Sequence, residues 1–401
     1  MYDLIVVGGG PAGSICARTA AQAGLDVLLL EKDKHPRYKL CGGALSKRVE
    51  DLLDFDIDHI IERTVSSIKL AAGYDQSSTW TREDTTGILV KREKFDQVLF
   101  QHAKNSGAET IENCRVIRVE QTRRGLRVLA RGDSFKGHLV VGADGVNSIV
   151  AKTLSIREKW PADAVALCIG GEAKLSVEEM SRVITDSKGM SNPALEIYFG
   201  LVKWGYGWCF PHSNHLNIGI GCRMSQNVDL KKHWSEFLKQ LEIMKGIDID
   251  IRNQSAFRIP LGGENRRVIT RRSMLVGDAA GLVSPVTGEG IYYALKSGVL
   301  AAKIATKAVR EKSPLLIRTY QDQLEKTIIE ELSVAKFLAK MIFKSKKTIS
   351  LALEVAEKDS IIRNYMIDFV TGLKPASEMK RKMMKHMLRH HPLKAIRIGL
   401  T

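Results

Sequence analysis

The chain has 401 residues, 61 of them Lys or Arg against 45 Asp or Glu, for a formal net charge of +16. At about 100–200 residues per domain, this length implies two or three lobes or one large interrupted fold. A hydrophobic share of 44% and a charged share of 26% are ordinary for a globular chain and exclude disordered, collagen-like and low-complexity classes.

No stretch approaches the roughly 18–20 uncharged apolar residues of a spanning helix. The best, Phe337 to Phe343, is broken by Lys340. Six cysteines (Cys16, Cys41, Cys114, Cys168, Cys209, Cys222) form no CxxC pair, and a strand pattern starts at Tyr2. A disulfide scaffold and a zinc ribbon are therefore not expected, and a reducing cytoplasm is the expected compartment.

Asp3–Val7 reads as a buried parallel strand, Pro11–Ala23 as a helix stopped by Gly24, and Asp26–Leu30 as a second strand, together a βαβ unit. A loop follows from His35 to Ala44. Residues 65–91 read as antiparallel strands, Lys94–Asn105 as a helix, Ala108–Val141 as short strands and Asn147–Leu154 as a helix start. From 161 to 262 the pattern is mainly β, with one helix near Leu230–Met244. Ser273–Val276 is again a buried strand, and a long helix begins near Glu289. Beyond Pro314 the chain reads as helical. From Met341 to Thr401 it carries 13 Lys/Arg against 5 Asp/Glu, a net +8, so half the charge excess lies in the last 61 residues. That end suits an anionic partner.

Gly8, Gly10 and Gly13 form GxGxxG at the end of the first strand. Glycines there permit a tight turn, close approach of backbone to a pyrophosphate, and close helix–sheet packing, while the helix N-terminus offers free N–H groups to phosphate. Glu31 ends the second strand 18 residues after Gly13 and suits ribose hydroxyls. Strand, turn, helix and acid together point to a dinucleotide.

Two later segments bear on which one. Val141-Gly-Ala-Asp144-Gly is a strand leading to a turn. Met274-Leu-Val-Gly277-Asp278-Ala-Ala-Gly281 precedes Gly288-Glu289-Gly290. With GxGxxG they resemble, in order, the motifs of FAD-dependent oxidoreductases of the glutathione-reductase-like, p-hydroxybenzoate-hydroxylase type. Arg92, Phe95, Asp96 and Leu99 match that group's Arg-x-x-Phe-Asp-x-x-Leu helix. The resemblance implies that FAD is held by Gly8, Gly10, Gly13, Glu31, Arg92, Asp144, Gly277, Asp278, Gly288 and Gly290. It places Asp278 on the ribityl chain and aims the helix after Gly290 at the flavin pyrimidine ring.

Tyr206-Gly-Trp208-Cys-Phe210-Pro211, seven residues, then Gly219-Ile-Gly221 reads YxWxFP-x7-GxG. On a strand the three aromatics share one face, as the wall of an apolar slot or as ordinary sheet core. The pattern resembles the geranylgeranyl reductase family, in which it lines an apolar tunnel near the flavin. Lys203 stands where some members have Pro. Cys41-Gly42-Gly43 matches that family's loop after the second strand. The resemblance implies substrate contacts from Tyr206, Trp208, Phe210, Pro211, Gly219 and Gly221, with Gly42 and Gly43 approaching the flavin.

The fold expected from these features is α/β. It combines a Rossmann-like FAD-binding domain (residues 1–64, 92–160 and 264–310) with an antiparallel-sheet substrate domain (161–263, with strands from 65–91) and a basic helical region (311–401). The implied reaction saturates C=C bonds of geranylgeranyl or other prenyl chains, on lipid, quinone or chlorophyll-type substrates or prenyl diphosphates, by hydride from reduced FAD. Catalytic candidates are Tyr206 as proton donor, Trp208, and Cys41, which is equally readable as a small packed thiol. An aromatic monooxygenase or a halogenase of the same fold is the alternative. An external donor, NAD(P)H or ferredoxin, is expected to reduce the flavin. Met379, Met383 and Met387 recur at helical spacing among cations and suit an anionic membrane face, giving a peripheral cytoplasmic location, or else packing against the protein. No nucleic-acid signature is present. His390-His391 lacks partner ligands in the sequence, so no metal is expected.

Overall fold

The computed structural model of the chain describes residues 1–185 and 189–398. The apolar run at the start forms strand Tyr2–Val7, whose last four residues are buried. It lies between Val27–Leu30 and Ser134–Gly142, parallel to both. Glu109–Ile111 extends the parallel set on one edge, and Ser273–Leu275 pairs parallel with Ser134–Gly142. Leu126–Ala130 and Val116–Gln121 complete this seven-stranded sheet as an antiparallel meander. Helices Pro11–Gln22, Arg92–Asn105 and Ile291–Arg310 share its hydrophobic core.

A second seven-stranded sheet runs in the order Ile251–Pro260, Val165–Lys174, His215–Arg223, Gly205–Pro211, Ala194–Phe199, Ser67–Ala72 and Gln76–Thr81. It is antiparallel except that Ser67–Ala72 runs parallel to Ala194–Phe199, which corrects the expectation of a purely antiparallel sheet. Gly87–Val90 leaves this sheet for a three-stranded one with Ala44–Ser46 and Ile61–Val65. A helix the β-rich reading passed over, Val177–Ile184, starts on a capping box in which Ser176 and Glu179 satisfy each other's backbone N–H groups.

The second sheet uses both faces. On one, Tyr198, Cys209, Ile218 and Ile220 pack on helix Leu230–Lys245. Gly207 leaves room for the Phe237 ring, which a Cβ would meet at 2.7 Å. This face also carries buried Glu196, which takes Lys245 Nζ at 2.6 Å, Lys69 Nζ at 3.8 Å and the Tyr198 hydroxyl. Alternate residues point to the opposite face. There Ile68, Leu70, Ile197 and Phe199 pack with the C-terminal helices that follow Glu330.

The YxWxFP-x7-GxG spacing is explained by hairpin register. Gly205–Pro211 pairs with His215–Arg223 so that Tyr206 lies opposite Gly221 and Trp208 opposite Gly219. The Trp208 indole lies over Gly219, where a Cβ would stand 2.1 Å from the ring.

Met379 and Met387 are 1% and 2% exposed, and with Met383 they pack into the C-terminal core. The methionine stripe thus faces inward, which corrects its reading as a membrane-facing surface; only the cationic side of this helix faces out. Among the described residues no helix is long and apolar enough to cross a membrane, and all six cysteines are unpaired.

Two outcomes follow. Gly219→Ala overpacks the Trp208 seat and lowers stability by about 1–3 kcal/mol, seen as a lower urea midpoint with altered Trp fluorescence. Lys245→Met leaves Glu196 with only the more distant Lys69 and costs about 3 kcal/mol, read by the same denaturation.

Candidate functional site

The C-terminal ends of the central parallel strands open onto a cleft of about 680 Å3, walled on the other side by the second sheet. This is where open α/β sheets bind ligands, and the volume falls in the usual range for ligand pockets. Gly8, Gly10, Glu31, Cys41, Gly42, Gly43, Arg92, Asp144, Asp278, Gly288, Gly290, Tyr206, Trp208 and Phe210 all line it. Gly13, Gly277, Pro211, Gly219 and Gly221 do not.

At Gly13 a Cβ would lie 1.8 Å from the Gly8 carbonyl oxygen, so this glycine serves strand–helix contact. Gly8 itself has φ +107°, a conformation that favours glycine. At Gly10 a Cβ would meet no protein atom nearer than 3.8 Å; here the missing side chain keeps the cleft floor bare. Helix Pro11–Gln22 begins at this floor, with Pro11 at the position that needs no N–H. Glu31 is 3% exposed and accepts from Gly9 N–H at 2.6 Å and Asp33 N–H at 3.0 Å.

Asp144 caps the short helix Ile149–Thr153, accepting from Ile149 N–H at 2.7 Å and Val150 N–H at 3.1 Å. Its other oxygen, Oδ1, is buried with no protein partner, and burial pushes the carboxyl pKa up. An orphaned acceptor on a cleft wall calls for a donor from a ligand.

Arg92 commits two donors to Asp96, at 2.8 and 2.9 Å, and reaches the Cys41 thiol as well. Arg37, also on the cleft, adds a contact to Asp96 at 3.1 Å. Burial raises the Asp278 pKa, opposed by the cations Lys39 and Arg92. Lys39 is open to cleft water yet hemmed in by protein. That confinement lowers its ammonium pKa, Arg92 adds to the effect, and Asp278 and Cys41 oppose it. The Gly277 N–H is satisfied by Ser297 Oγ at 3.0 Å, and its Cβ position is 3.1 Å from Ala12 Cβ; it is a packing glycine.

On the substrate side, Gly42 rests on the Phe210 ring, where a Cβ would come to 2.7 Å. Gly219 lies beneath Trp208, and a Cβ at Gly221 would meet Cys168 Sγ at 2.5 Å. These two glycines and Pro211 sit behind the wall, which corrects their assignment as substrate contacts. The Tyr206 assignment changes as well. Its hydroxyl donates to the Thr287 carbonyl, and burial pushes the phenol pKa well above its usual value. In this geometry Tyr206 tethers the sheet to the turn before helix Ile291–Arg310 and is a poor acid.

Four features escaped the sequence reading. Lys39 and Arg37 carry no motif. Glu289, in the quoted Gly-Glu-Gly turn, lines the cleft with its pKa raised to about 7, chiefly by burial. Glu62, His212 and His215 gather against the Gly42–Gly43 backbone, and the His-x-x-His spacing was the available signal. His390 and His391 are far along the C-terminal helices, where His386 and His391 both contact Asp359.

The FAD binding domain family model matches residues 1–184. A geranylgeranyl diphosphate reductase of Rhodobacter capsulatus is 30% identical over 394 residues, 94% of this chain and 95% of that one. A digeranylgeranylglycerophospholipid reductase of Methanosphaera stadtmanae is 30% identical over 339 residues, 80% of this chain and 82% of the relative. In fold, the chain is similar to a geranylgeranyl bacteriochlorophyll reductase-like protein of Thermoplasma acidophilum, with a TM-score of 0.80, 22% identity and coverage of 99% and 98%. The cleft suits FAD: its floor is bare at Gly10, two helix N-termini face it, and Asp144 Oδ1 waits for a donor. With kinship running along nearly the full length of both chains, the protein belongs to the geranylgeranyl reductase family of FAD-dependent oxidoreductases.

Proposed function

We propose that the protein saturates C=C bonds of geranylgeranyl or similar prenyl chains, carried on a lipid, a quinone or chlorophyll-type head group, or a diphosphate. The observation that carries this reading is an apolar path leaving the cleft along one sheet face. Ile68 lines the cleft, and Leu70, two residues on, lines a second cavity of about 100 Å3. Ile197 and Phe199 repeat the pattern on the next strand, and Val370 lines both spaces. The second cavity is walled by Met341, Met366, Met379, Met383, Met387 and aliphatic neighbours. A flexible apolar chain fits such a path; a compact aromatic substrate of a monooxygenase or halogenase has no use for it.

Bound FAD, once reduced by an external nicotinamide or ferredoxin-type donor, supplies the hydride. The chain supplies the apolar wall and a proton. Glu289 suits the second task, because a buried carboxyl with a pKa near 7 keeps its proton in the neutral range. Cys41 stays a cleft-lining thiol, held by Arg92 and by Gly43 N–H at 3.5 Å.

The decisive experiment is anaerobic. Dithionite-reduced holoprotein mixed with a geranylgeranyl lipid should reoxidise its flavin, and the lipid should gain about 2 mass units per saturated bond. Oxygen consumption with an aromatic substrate and no mass gain on the lipid would overturn the reading.

Glu289→Gln should lower turnover by about 100-fold or more, on the scale of general-acid catalysis. The acid works while protonated, so wild-type turnover should fall as pH rises through about 7, and the variant should lack that limb. Tyr206→Phe should lose about 1 kcal/mol of stability and keep most of its turnover; a 100-fold loss would restore the phenol as the acid.

We also propose that the C-terminus meets an anionic membrane. Leu393 is 76% and Ile396 58% exposed, with Arg389 and Arg397 exposed beside them. Co-sedimentation with anionic vesicles should be lost on replacing Leu393 and Ile396 by Asp, while turnover on detergent-dispersed substrate persists.

A further inference from the structure

Glu62, His212 and His215 lie against the Gly42–Gly43 backbone, each offering one ligand atom, and these atoms all fall within 4.8 Å of one another. All three side chains are buried: His212 and His215 are 2% and 4% exposed, and the Glu62 side chain is 8% exposed. Each is held by regular structure. Glu62 is on strand Ile61–Val65, His212 follows strand Gly205–Pro211, and His215 opens strand His215–Arg223. Arg63 grips the His212 carbonyl with Nε at 3.1 Å and Nη2 at 2.8 Å, which fixes the turn.

The outer partners orient both rings. His212 Nε2 lies 3.0 Å from the Gly42 carbonyl oxygen, to which it donates. Its Nδ1 then turns a lone pair toward Glu62 Oε2, 3.1 Å away. Two lone pairs at that distance need a cation between them. His215 Nδ1 lies 3.2 Å from Asn214 Oδ1 and donates there, which leaves Nε2 as a lone pair; that nitrogen is buried with no protein partner. Lys91 Nζ stands 3.8 Å from the other Glu62 oxygen, Oε1, and leaves Oε2 free. Imidazoles that donate one N–H to a carbonyl and turn the other nitrogen toward a carboxylate form the usual second shell of a metal site.

We propose that Glu62, His212 and His215 bind a divalent transition cation, with zinc suited to a set of two imidazole nitrogens and one carboxylate oxygen. The cation ties the three-stranded sheet to the substrate hairpin beneath the cleft-lining loop. The site departs from the expectation of no metal, which considered only His390-His391, and it does not depend on the reductase reading.

Holoprotein treated with EDTA and dialysed would be titrated with zinc chloride alone, by calorimetry and by metal analysis after gel filtration. The wild type should retain one zinc per chain. Glu62→Gln and His215→Ala should each weaken binding well over tenfold, and Asn214→Ala by about tenfold, the scale of a lost outer partner. Retained flavin absorption reports that each variant is folded, and Asn214→Ala carries the test if a ligand variant fails to fold. Replacing His386 and His391 by Ala should leave the zinc in place, which separates this site from the Asp359 cluster. No retained zinc in the wild type would overturn the proposal, leaving a shared proton alone between His212 and Glu62. Zinc lost with His386 and His391 but kept in His215→Ala would overturn it equally.

Discussion

The carbonyl oxygen of Gly8 occupies the space a side chain at Gly13 would need. Because that space is free, helix Pro11–Gln22 can start directly against the end of strand Tyr2–Val7. The same closeness recurs one layer out: at Gly298 a Cβ would lie 2.4 Å from the Ala12 carbonyl oxygen, so helix Ile291–Arg310 seats on the first helix. Two helices thereby open at one cleft, and the positive ends of both dipoles converge where a dinucleotide's negative charge belongs. Restoring a Cβ at either contact would drive these layers apart.

The second sheet meets a different constraint. It must be apolar on both faces, yet one face has to stay accessible to substrate. Strict alternation solves this. Tyr198 and Cys209 turn to helix Leu230–Lys245, while Ile197, Trp208 and Phe210 turn to the cleft. Glycine opposite tryptophan then lets a large ring lie flat on the sheet, so the aromatic wall stays thin enough to leave a slot above it.

The features legible in the sequence were those set by local geometry. GxGxxG between a strand and a helix, Asp144 and Asp278 after buried strands, and alternating aromatics are readable because period and turn chemistry determine them. The helix Val177–Ile184 was legible too, through Ser176 and Glu179, but the surrounding β pattern outweighed a two-residue signal. What stayed hidden depends on contacts distant in sequence. Glu289 owes its raised pKa to burial in the folded cleft, and Glu62 meets His212 across 150 residues. Tyr206 was readable as an aromatic on the wall, but its bond to Thr287 spans 81 residues, and with it the reason the phenol keeps its proton. The methionines at 379, 383 and 387 show the same limit: their spacing defines a stripe, and only packing decides which way it faces.

That stripe has a consequence for what happens after the first turnover. A partly saturated isoprenoid bends differently from its starting polyene, and a rigid aliphatic wall would favour one shape over the other. Thioether side chains are unbranched and polarizable and rearrange at little cost. A chamber walled by Met341, Met366, Met379, Met383 and Met387 can re-form around each successive product, so a tail lodged there need not leave between rounds.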